Sequence, residues 1–177
     1  MGNHDYDANN PAGRTSATVN FNHYFGPSRY QDTAYWNTPY WLGSYPSGSN
    51  ENFYGAVTIN GQQFLILALE FYPRDTSLSW AGQVIQNNPG AQVIIITRSY
   101  EYFDNTRVSA CNSFDAQYCG LGADNDGDAM WMKLVREYKN ISLVLSGHEV
   151  RGAGQDATGH RSDLGSNGNL VNQILSN

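Results

Sequence analysis

The chain is poor in charge, in cysteine and in long apolar runs. Charged residues make up 15% of its 177 residues, and 10 Lys and Arg face 16 Asp and Glu for a net charge of −6. That balance argues against nonspecific binding to nucleic acid or to an anionic membrane, which needs clustered basic side chains. No apolar run is long enough to cross a bilayer, so no transmembrane helix is expected. No signal peptide is predicted, because Asn3, His4 and Asp5 stand where its apolar region would be.

The two cysteines, Cys111 and Cys119, lie close together in a Gly- and Asn-rich stretch. We expect them to close a small disulfide loop in an oxidising compartment, with two free thiols as the alternative. The chain is rich in Tyr and Gly, with 12 and 18 residues. A polar but weakly charged surface of this kind is typical of secreted proteins.

The length predicts a single domain over residues 1–177 that can bury a substantial core. Turn-forming residues recur through residues 1–54, which predicts a long aromatic-rich loop region with one short helix. After it, Asn60-Gly61 separates two apolar segments and predicts a β-hairpin. The further predicted elements are a helix over 75–88 capped by Asp75, a strand over 93–97, a helix over 128–139, a strand over 141–145, a polar loop over 147–168, and a strand or helical turn over 169–176.

The alternation of strands and helices predicts an α/β sheet with right-handed parallel crossovers. The segments 64–69 and 93–97 are continuously apolar, which predicts strands buried on both faces. Ligands of such sheets bind where loops leave the carboxyl ends of the strands. Thr97-Arg98 and Gly147-His148 should therefore lie on one rim of the sheet.

Two motifs carry a family resemblance: Gly2-Asn3-His4-Asp5 at the start, and Ser146-Gly147-His148-Glu149 much later. They resemble motifs of the calcineurin-like metallophosphoesterases. Further blocks, in the same order, resemble an extracellular-type bacterial branch of that family: 24–30, 49–52, 69–75, 79–81, 125–131 and 168–175. The resemblance implies a layered α/β sheet domain and a secreted or extracellular parent protein.

The resemblance also implies residue roles. Asn3 and His148 match ligands of one metal in a two-metal site, and an amide oxygen suits a hard divalent ion. His4 matches the family's acid, which protonates the leaving oxygen or holds the phosphate. Asp5 matches the acidic residue that orients this histidine.

This sequence departs from the family at several metal positions. The family has Thr-His where this chain has Thr97-Arg98, and arginine stays protonated and cannot ligate a metal. The last metal histidine is replaced by Val150, or by Arg151 if one residue is inserted. The two earlier metal motifs do not precede Asn3. The expectation is an N-terminally truncated domain, the carboxyl-terminal portion only, with an open sheet edge that favours homo-oligomers.

The resulting functional hypothesis is a phosphate-ester hydrolase domain with an incomplete metal site and weak or absent conventional activity. Its implied cofactor is a divalent metal (Mn, Fe, Zn or similar) at partial occupancy, and its ligand is a small phosphate ester or a glycan. No nucleic-acid or membrane partner is expected. The alternatives are a noncatalytic glycan- or anion-binding module, and a repurposed carbohydrate-active hydrolase that uses Glu70 or Asp75 as acid or base.

Other residues leave two interpretations open. Arg98 would hold a phosphate or carboxylate, or, as favoured, pair with Glu70, Glu101 or Asp104. The aromatic segment 35–41 would stack sugar rings, or, as favoured, pack as a core of its own loop. His23 is predicted to pack rather than to ligate, and His160 to be exposed in a flexible loop. The acidic run 124–128 lacks the ligand spacing of an EF-hand, so helix capping is the better interpretation.

Overall fold

The computed structural model describes residues 1–7, 17–34, 36, 38–109, 124–150 and 157–177. Seven strands form one sheet in the order β1-β2-β3-β4-β5-β7-β6. The strands are β1 (Gly43–Tyr45), β2 (Asn52–Ile59), β3 (Gln62–Ala68), β4 (Gln92–Ile96), β5 (Ile141–Ser146), β6 (Thr158–Leu164) and β7 (Leu170–Ser176). The helices are α1 (Val19–Phe25), α2 (Asp75–Gln86) and α3 (Gly127–Lys133), with 3₁₀ turns at Pro27–Arg29 and Val135–Glu137. The predicted α/β class is confirmed at this level.

The predicted hairpin is confirmed. Strands β2 and β3 pair antiparallel, with Ile59 opposite Gln62. Asn60 and Gly61 form the turn, with φ of 51° and 81°. Two consecutive left-handed residues are what a tight hairpin turn of this twist requires, and Asn and Gly adopt them at low cost.

The central strands β3, β4, β5 and β7 run parallel, so their carboxyl ends meet at one rim of the sheet. Both long crossovers place their helices on the same face. The core on that face combines Leu65 and Ile95 of the sheet with Ile85 of α2 and Met130 of α3. The sequence order therefore brings the segments after β3, β4 and β5 together at the rim.

The prediction that the central strands are buried on both faces is wrong. Burial alternates along β3 and β4, so that Leu65 and Leu67 are fully buried whereas Phe64 and Ile66 are half-exposed. Ile96, on the same second face, is 41% exposed. The reason is that α2 and α3 both pack on the first face.

The last part of the chain differs from the prediction. The polar segment 147–168 contains strand β6, which pairs antiparallel with β7 at the edge of the sheet. For the segment 169–176, the strand is confirmed over the helical turn, and it is β7. The helix predicted over 128–139 ends at Lys133, and a 3₁₀ turn follows.

The N-cap side chain caps α3 but not α2. Asp126 is the N-cap of α3, where its carboxylate accepts a hydrogen bond of 2.8 Å from the Ala129 N–H. This confirms the capping interpretation of the acidic run. At α2 the N-cap is Arg74, and Asp75 is the first helical residue, so the predicted cap by Asp75 is wrong.

The region before β2 is more ordered than predicted. It contains α1, a 3₁₀ turn and strand β1 in addition to loops. The Asn22 side chain fastens α1 to the following loop, because its Nδ2 donates to Ser49 Oγ at 2.9 Å and its Oδ1 accepts from the Asn50 N–H.

No helix in the described ranges is long and apolar enough to cross a membrane. The predicted disulfide of Cys111 and Cys119 lies outside the described residues.

Candidate functional site

The carboxyl ends of the central strands enclose a pocket of about 270 Å³, which we call the rim pocket. It lies where ligands of parallel sheets bind. The Gly147 N–H donates to the Arg98 carbonyl at 2.9 Å, which joins the segments after β4 and β5. The sequence motifs predicted to share a rim therefore do so. The described lining consists of Met1, Gly2, Ala68, Leu69, Ile96, Thr97, Arg98 and Gly147.

Arg98 carries an unpaired cation into this pocket. Its side chain is half-buried, and its Nε is buried without a hydrogen-bond partner. The favoured prediction that it pairs with Glu70, Glu101 or Asp104 is wrong, because within the described chain it forms no ion pair. Glu70 is engaged by Arg74 instead. A buried Nε–H without an acceptor is costly, and the positive charge of the guanidinium favours an anion in the pocket.

The N-terminal turn lies against Arg98. Gly2 allows this approach, because a Cβ built there would be 2.9 Å from Arg98 Cδ and Nη1. Asp5 closes the turn, since its carboxylate accepts the Gly2 N–H at 2.7 Å. Asn3 is half-buried, and its Oδ1 is buried with no hydrogen-bond partner among the described residues.

His4 is exposed and lines a neighbouring polar pocket of about 380 Å³, which we call the His4 pocket. The structure records no hydrogen bond between His4 and Asp5, so the Asp5 carboxylate orients the turn rather than the imidazole. The imidazole is consequently available to a ligand. The other described lining residues are Asp5, Tyr6, Asp7, Asn20, Phe21, Tyr24 and Phe25.

His148 follows β5 in a strained conformation, with φ of 80°. A left-handed conformation is uncommon for a residue other than glycine and is often retained at functional sites. The ring packs edge-to-face on Phe71 at 5.2 Å, and the backbone N–H donates to Asn177 Oδ1 at 2.8 Å. Phe71 belongs to the same buried cluster that Met1 contacts. His148 and the N-terminal turn thus share one aromatic support, although no hydrogen bond joins Asn3 to His148.

Glu149 is a rim residue to which the sequence assigned no role. It is fully buried, one carboxylate oxygen is bonded by the Ser99 hydroxyl, and the other has no hydrogen-bond partner in the described part of the chain. Burial raises its pKa to about 7 despite the Ser99 hydrogen bond and the nearby Arg98 charge. The sequence signal was an acidic residue directly after the Gly-His motif, but that motif predicts neither the burial of its side chain nor its hydrogen bond with distant Ser99.

The described residues do not fit a two-metal centre. They contain no group of three or more His, Cys, Asp or Glu side chains that could hold a metal ion. The Asn3 Oδ1 atom, which has no hydrogen-bond partner among the described residues, could ligate a cation. His148 is the single further metal ligand that the two motifs supply. The Arg98 guanidinium next to the turn disfavours a cation electrostatically. The fixed positive charge of Arg98 favours a negatively charged ligand, whereas the Asn3 oxygen and His148 would hold at most one weakly bound ion.

The contacts of Glu70 indicate a structural role rather than a catalytic one. It is 1% exposed, and its carboxylate accepts hydrogen bonds from Arg74 and Ser77. Arg74 also bridges to buried Glu51. Asp75 is exposed and pairs with Lys133 at 2.8 Å, and these contacts with Lys133 and Asn125 lower its pKa. Neither acid supports the predicted acid or base of a carbohydrate hydrolase.

The aromatic segment is not a buried core, so that favoured prediction is wrong. Trp36 and Trp41 stack with ring centroids 4.5 Å apart and are half-buried, whereas Tyr40 is 67% exposed. Tyr35 and Asn37 lie outside the described residues. The described part lines an open cavity instead of filling one.

The remaining histidines are both exposed. His23 contacts the Tyr24 ring edge-to-face at 4.8 Å, which agrees with the packing interpretation. His160 lies in strand β6 and not in a flexible loop, and its N–H donates to Asn105 Oδ1.

No family model matches this chain, and no solved structure matches it. Among known proteins, it is similar to the uncharacterized protein YvnB of Bacillus subtilis (strain 168), with 23% identity over 147 residues. The match covers 83% of this chain but 9% of that protein. The chain therefore spans a small part of its relative's length.

Proposed function

We propose that this chain is a phosphate-ester hydrolase domain of the metallophosphoesterase type, with weak conventional activity, that holds the phosphate of its substrate in the rim pocket. The observation that carries this proposal is the unpaired guanidinium of Arg98 at the carboxyl ends of the parallel strands. A guanidinium matches phosphate geometry with two parallel hydrogen bonds.

His4 is the proposed general acid. Its imidazole is exposed in the His4 pocket and makes no hydrogen bond to the described residues, so it is free to protonate a leaving oxygen. Asp5 is a positioning residue, because its bond to the Gly2 N–H fixes the turn that presents His4.

A divalent ion bound by Asn3 and His148 at partial occupancy is part of the proposal. Such an ion (Mn, Fe, Zn or similar) would supply Lewis-acid chemistry when bound. Two protein donors hold an ion weakly, because high affinity needs a fuller coordination sphere. Elemental analysis of the purified chain, with the His148→Ala variant as comparison, tests this part independently of turnover.

The catalytic proposal is tested by hydrolysis of 4-nitrophenyl phosphate, with and without added Mn²⁺. His4→Ala should lower the rate by at least about 100-fold, as loss of a general acid does. His160→Ala is the matched control, because His160 is also exposed but lies on edge strand β6. Equal rates for the two variants would contradict the role of His4.

A noncatalytic anion-binding module is the second candidate, since the unpaired Arg98 supports it equally. Phosphate binding without any turnover would favour it over the hydrolase.

Two further expectations remain proposals. The first is that the chain forms homo-oligomers through edge strands β1 or β6, which light scattering tests. The second is a secreted location with a Cys111–Cys119 disulfide. Mass measurement after alkylation, with and without reduction, tests the disulfide.

A further inference from the structure

An open cavity of about 420 Å³ lies beside α1 and has aromatic walls; we call it the aromatic pocket. Every described lining residue except Asn50 is aromatic. The stacked Trp36–Trp41 pair contributes to one wall, and the tilted Phe21–Phe25 pair, with centroids 5.5 Å apart, contributes to another. A volume of this size is within the usual range for small-molecule sites.

The polar groups at its base are already satisfied within the protein. The Asn50 amide donates to the Phe25 carbonyl at 2.8 Å, and its oxygen accepts from Trp41 Nε1 at 3.0 Å. A sugar needs several hydrogen-bonding partners to replace its water, whereas a planar apolar ring needs aromatic faces. The lining therefore matches a ring rather than a glycan.

The cavity is held open by a fixed scaffold. The Asn22 side chain ties α1 to the loop at Ser49 and Asn50, so the two walls are connected by hydrogen bonds. Exposed aromatic side chains surround the mouth, with Phe25 54% and Tyr40 67% exposed. Contiguous exposed aromatic surface is uncommon on soluble proteins and marks binding sites.

The aromatic pocket adjoins the His4 pocket. Phe21 and Phe25 line both, so their rings form the partition between an apolar cavity and a polar one that contains His4. A ligand that joins an apolar ring to an ester oxygen would be divided in the same way, with the ring in the aromatic pocket and the ester oxygen in the His4 pocket.

We propose that the aromatic pocket is the specificity site of this domain and receives the planar aromatic ring of an aryl phosphate ester. The proposal rests on the proposed function, because it names the class of ester that the rim and His4 pockets act on. The ring packs against the Trp36–Trp41 pair, while Arg98 takes the phosphate and His4 faces the ester oxygen.

Calorimetric titration of the full chain with inorganic phosphate, phenyl phosphate and phenol tests this division. Phenyl phosphate should bind about 10- to 100-fold more tightly than inorganic phosphate, as expected for burial of one aromatic ring. Tyr40→Ser should remove most of that advantage and leave the affinity for inorganic phosphate unchanged. Leu42→Ala is the matched control, because Leu42 is 44% exposed nearby but is not part of the described lining.

Phe25→Ser is a second test variant, also at an exposed position, so that one misfolded protein does not decide the result. Equal affinities of the wild-type chain for inorganic and phenyl phosphate would overturn the specificity site and leave the phosphate site standing. Binding of phenol without binding of either phosphate would overturn the proposed function, so the two failures give different results. Binding of methyl glucoside in place of phenol would overturn the choice of an aromatic ring.

Discussion

Gly2 lies directly against the Arg98 guanidinium, and a Cβ at position 2 would come within 2.9 Å of Arg98 Nη1. The smallest residue of the N-terminal turn therefore sets where the rim's unpaired cation points. Gly2 has no positive φ, so an alanine there meets a steric obstacle rather than backbone strain.

Gly2→Ala should displace the Arg98 side chain and weaken phosphate binding by about 10-fold, the loss expected for a misplaced charge-assisted hydrogen bond. Gly90→Ala is the control, because a Cβ at Gly90 meets no atom within 4 Å. Phosphate titration of both variants measures the difference. Unchanged affinity in Gly2→Ala would mean that Arg98 has room to adjust.

Removal of the Arg74 side chain should destabilise the fold strongly. Arg74 bridges Glu51 and Glu70, whose side chains are 7% and 1% exposed, and its loss leaves two buried carboxylates without their cation. Arg74→Ala should therefore lower the free energy of unfolding by about 3–5 kcal/mol.

Lys133→Ala is the control for this network, because the Lys133–Asp75 pair is more than half exposed and should contribute less than about 1 kcal/mol. Urea unfolding of both variants gives the comparison. Equal losses of stability would show that the buried network does not depend on Arg74.

Strain at His148 predicts an unusual order of stabilities. Its left-handed φ of 80° is costly for any side chain but not for glycine. His148→Gly should therefore be more stable than His148→Ala by about 1 kcal/mol, although glycine normally loses more entropy on folding. Thermal unfolding tests this order, and greater stability of the alanine variant would show that the strain is absent.

The buried carboxylate of Glu101 predicts a pH-dependent stability. Neither oxygen has a hydrogen-bond partner in the described ranges, and burial raises its pKa to about 7. The charged groups that face it are Arg107, opposite it in an antiparallel bridge, and Arg161 and Asp163 on β6. Since the folded protein holds this proton more tightly than the unfolded chain, the contribution of Glu101 is full below the ordinary pKa of 4.5 and is lost as pH rises to about 7.

Glu101→Gln should remove this pH dependence. At pH 8 the variant should be more stable than the wild type by about 1–3 kcal/mol, because it lacks the buried charge, and near pH 4 the two should match. Urea unfolding at both pH values is the measurement. Parallel stability curves for the two proteins would mean that Glu101 is hydrated or paired in solution.

The sequence predicts those elements of the fold that depend on local chemistry. Asn60-Gly61 identifies the hairpin, and the positions of Thr97-Arg98 and Gly147-His148 after apolar strands identify the rim. Strand β6 was missed because its alternating residues are mostly polar; it is held by pairing with β7 and by contacts such as the ion pair of Arg107 with Asp163. That pairing is a tertiary event with no local signal.

The burial and the partners of individual rim residues could not be predicted from the sequence for a similar reason. Arg98 was expected to form an ion pair with a carboxylate. One of the candidates, Glu70, pairs instead with Arg74, which is four residues away on the same segment. Buried Glu149 accepts a hydrogen bond from Ser99, which is distant in the chain. The partial exposure of the second sheet face could not be predicted either, because a continuous apolar segment does not indicate on which side the helices pack.

The central claim is that Arg98 holds a phosphate at the rim of the sheet, and calorimetric titration with inorganic phosphate tests it most directly. The wild-type chain should bind one phosphate, and Arg98→Gln should weaken binding by about 10- to 100-fold. Lys139→Gln, an exposed charge just before β5 at the opposite end of the strands, should leave the affinity unchanged. No binding to the wild type, or equal binding to all three proteins, would contradict the claim.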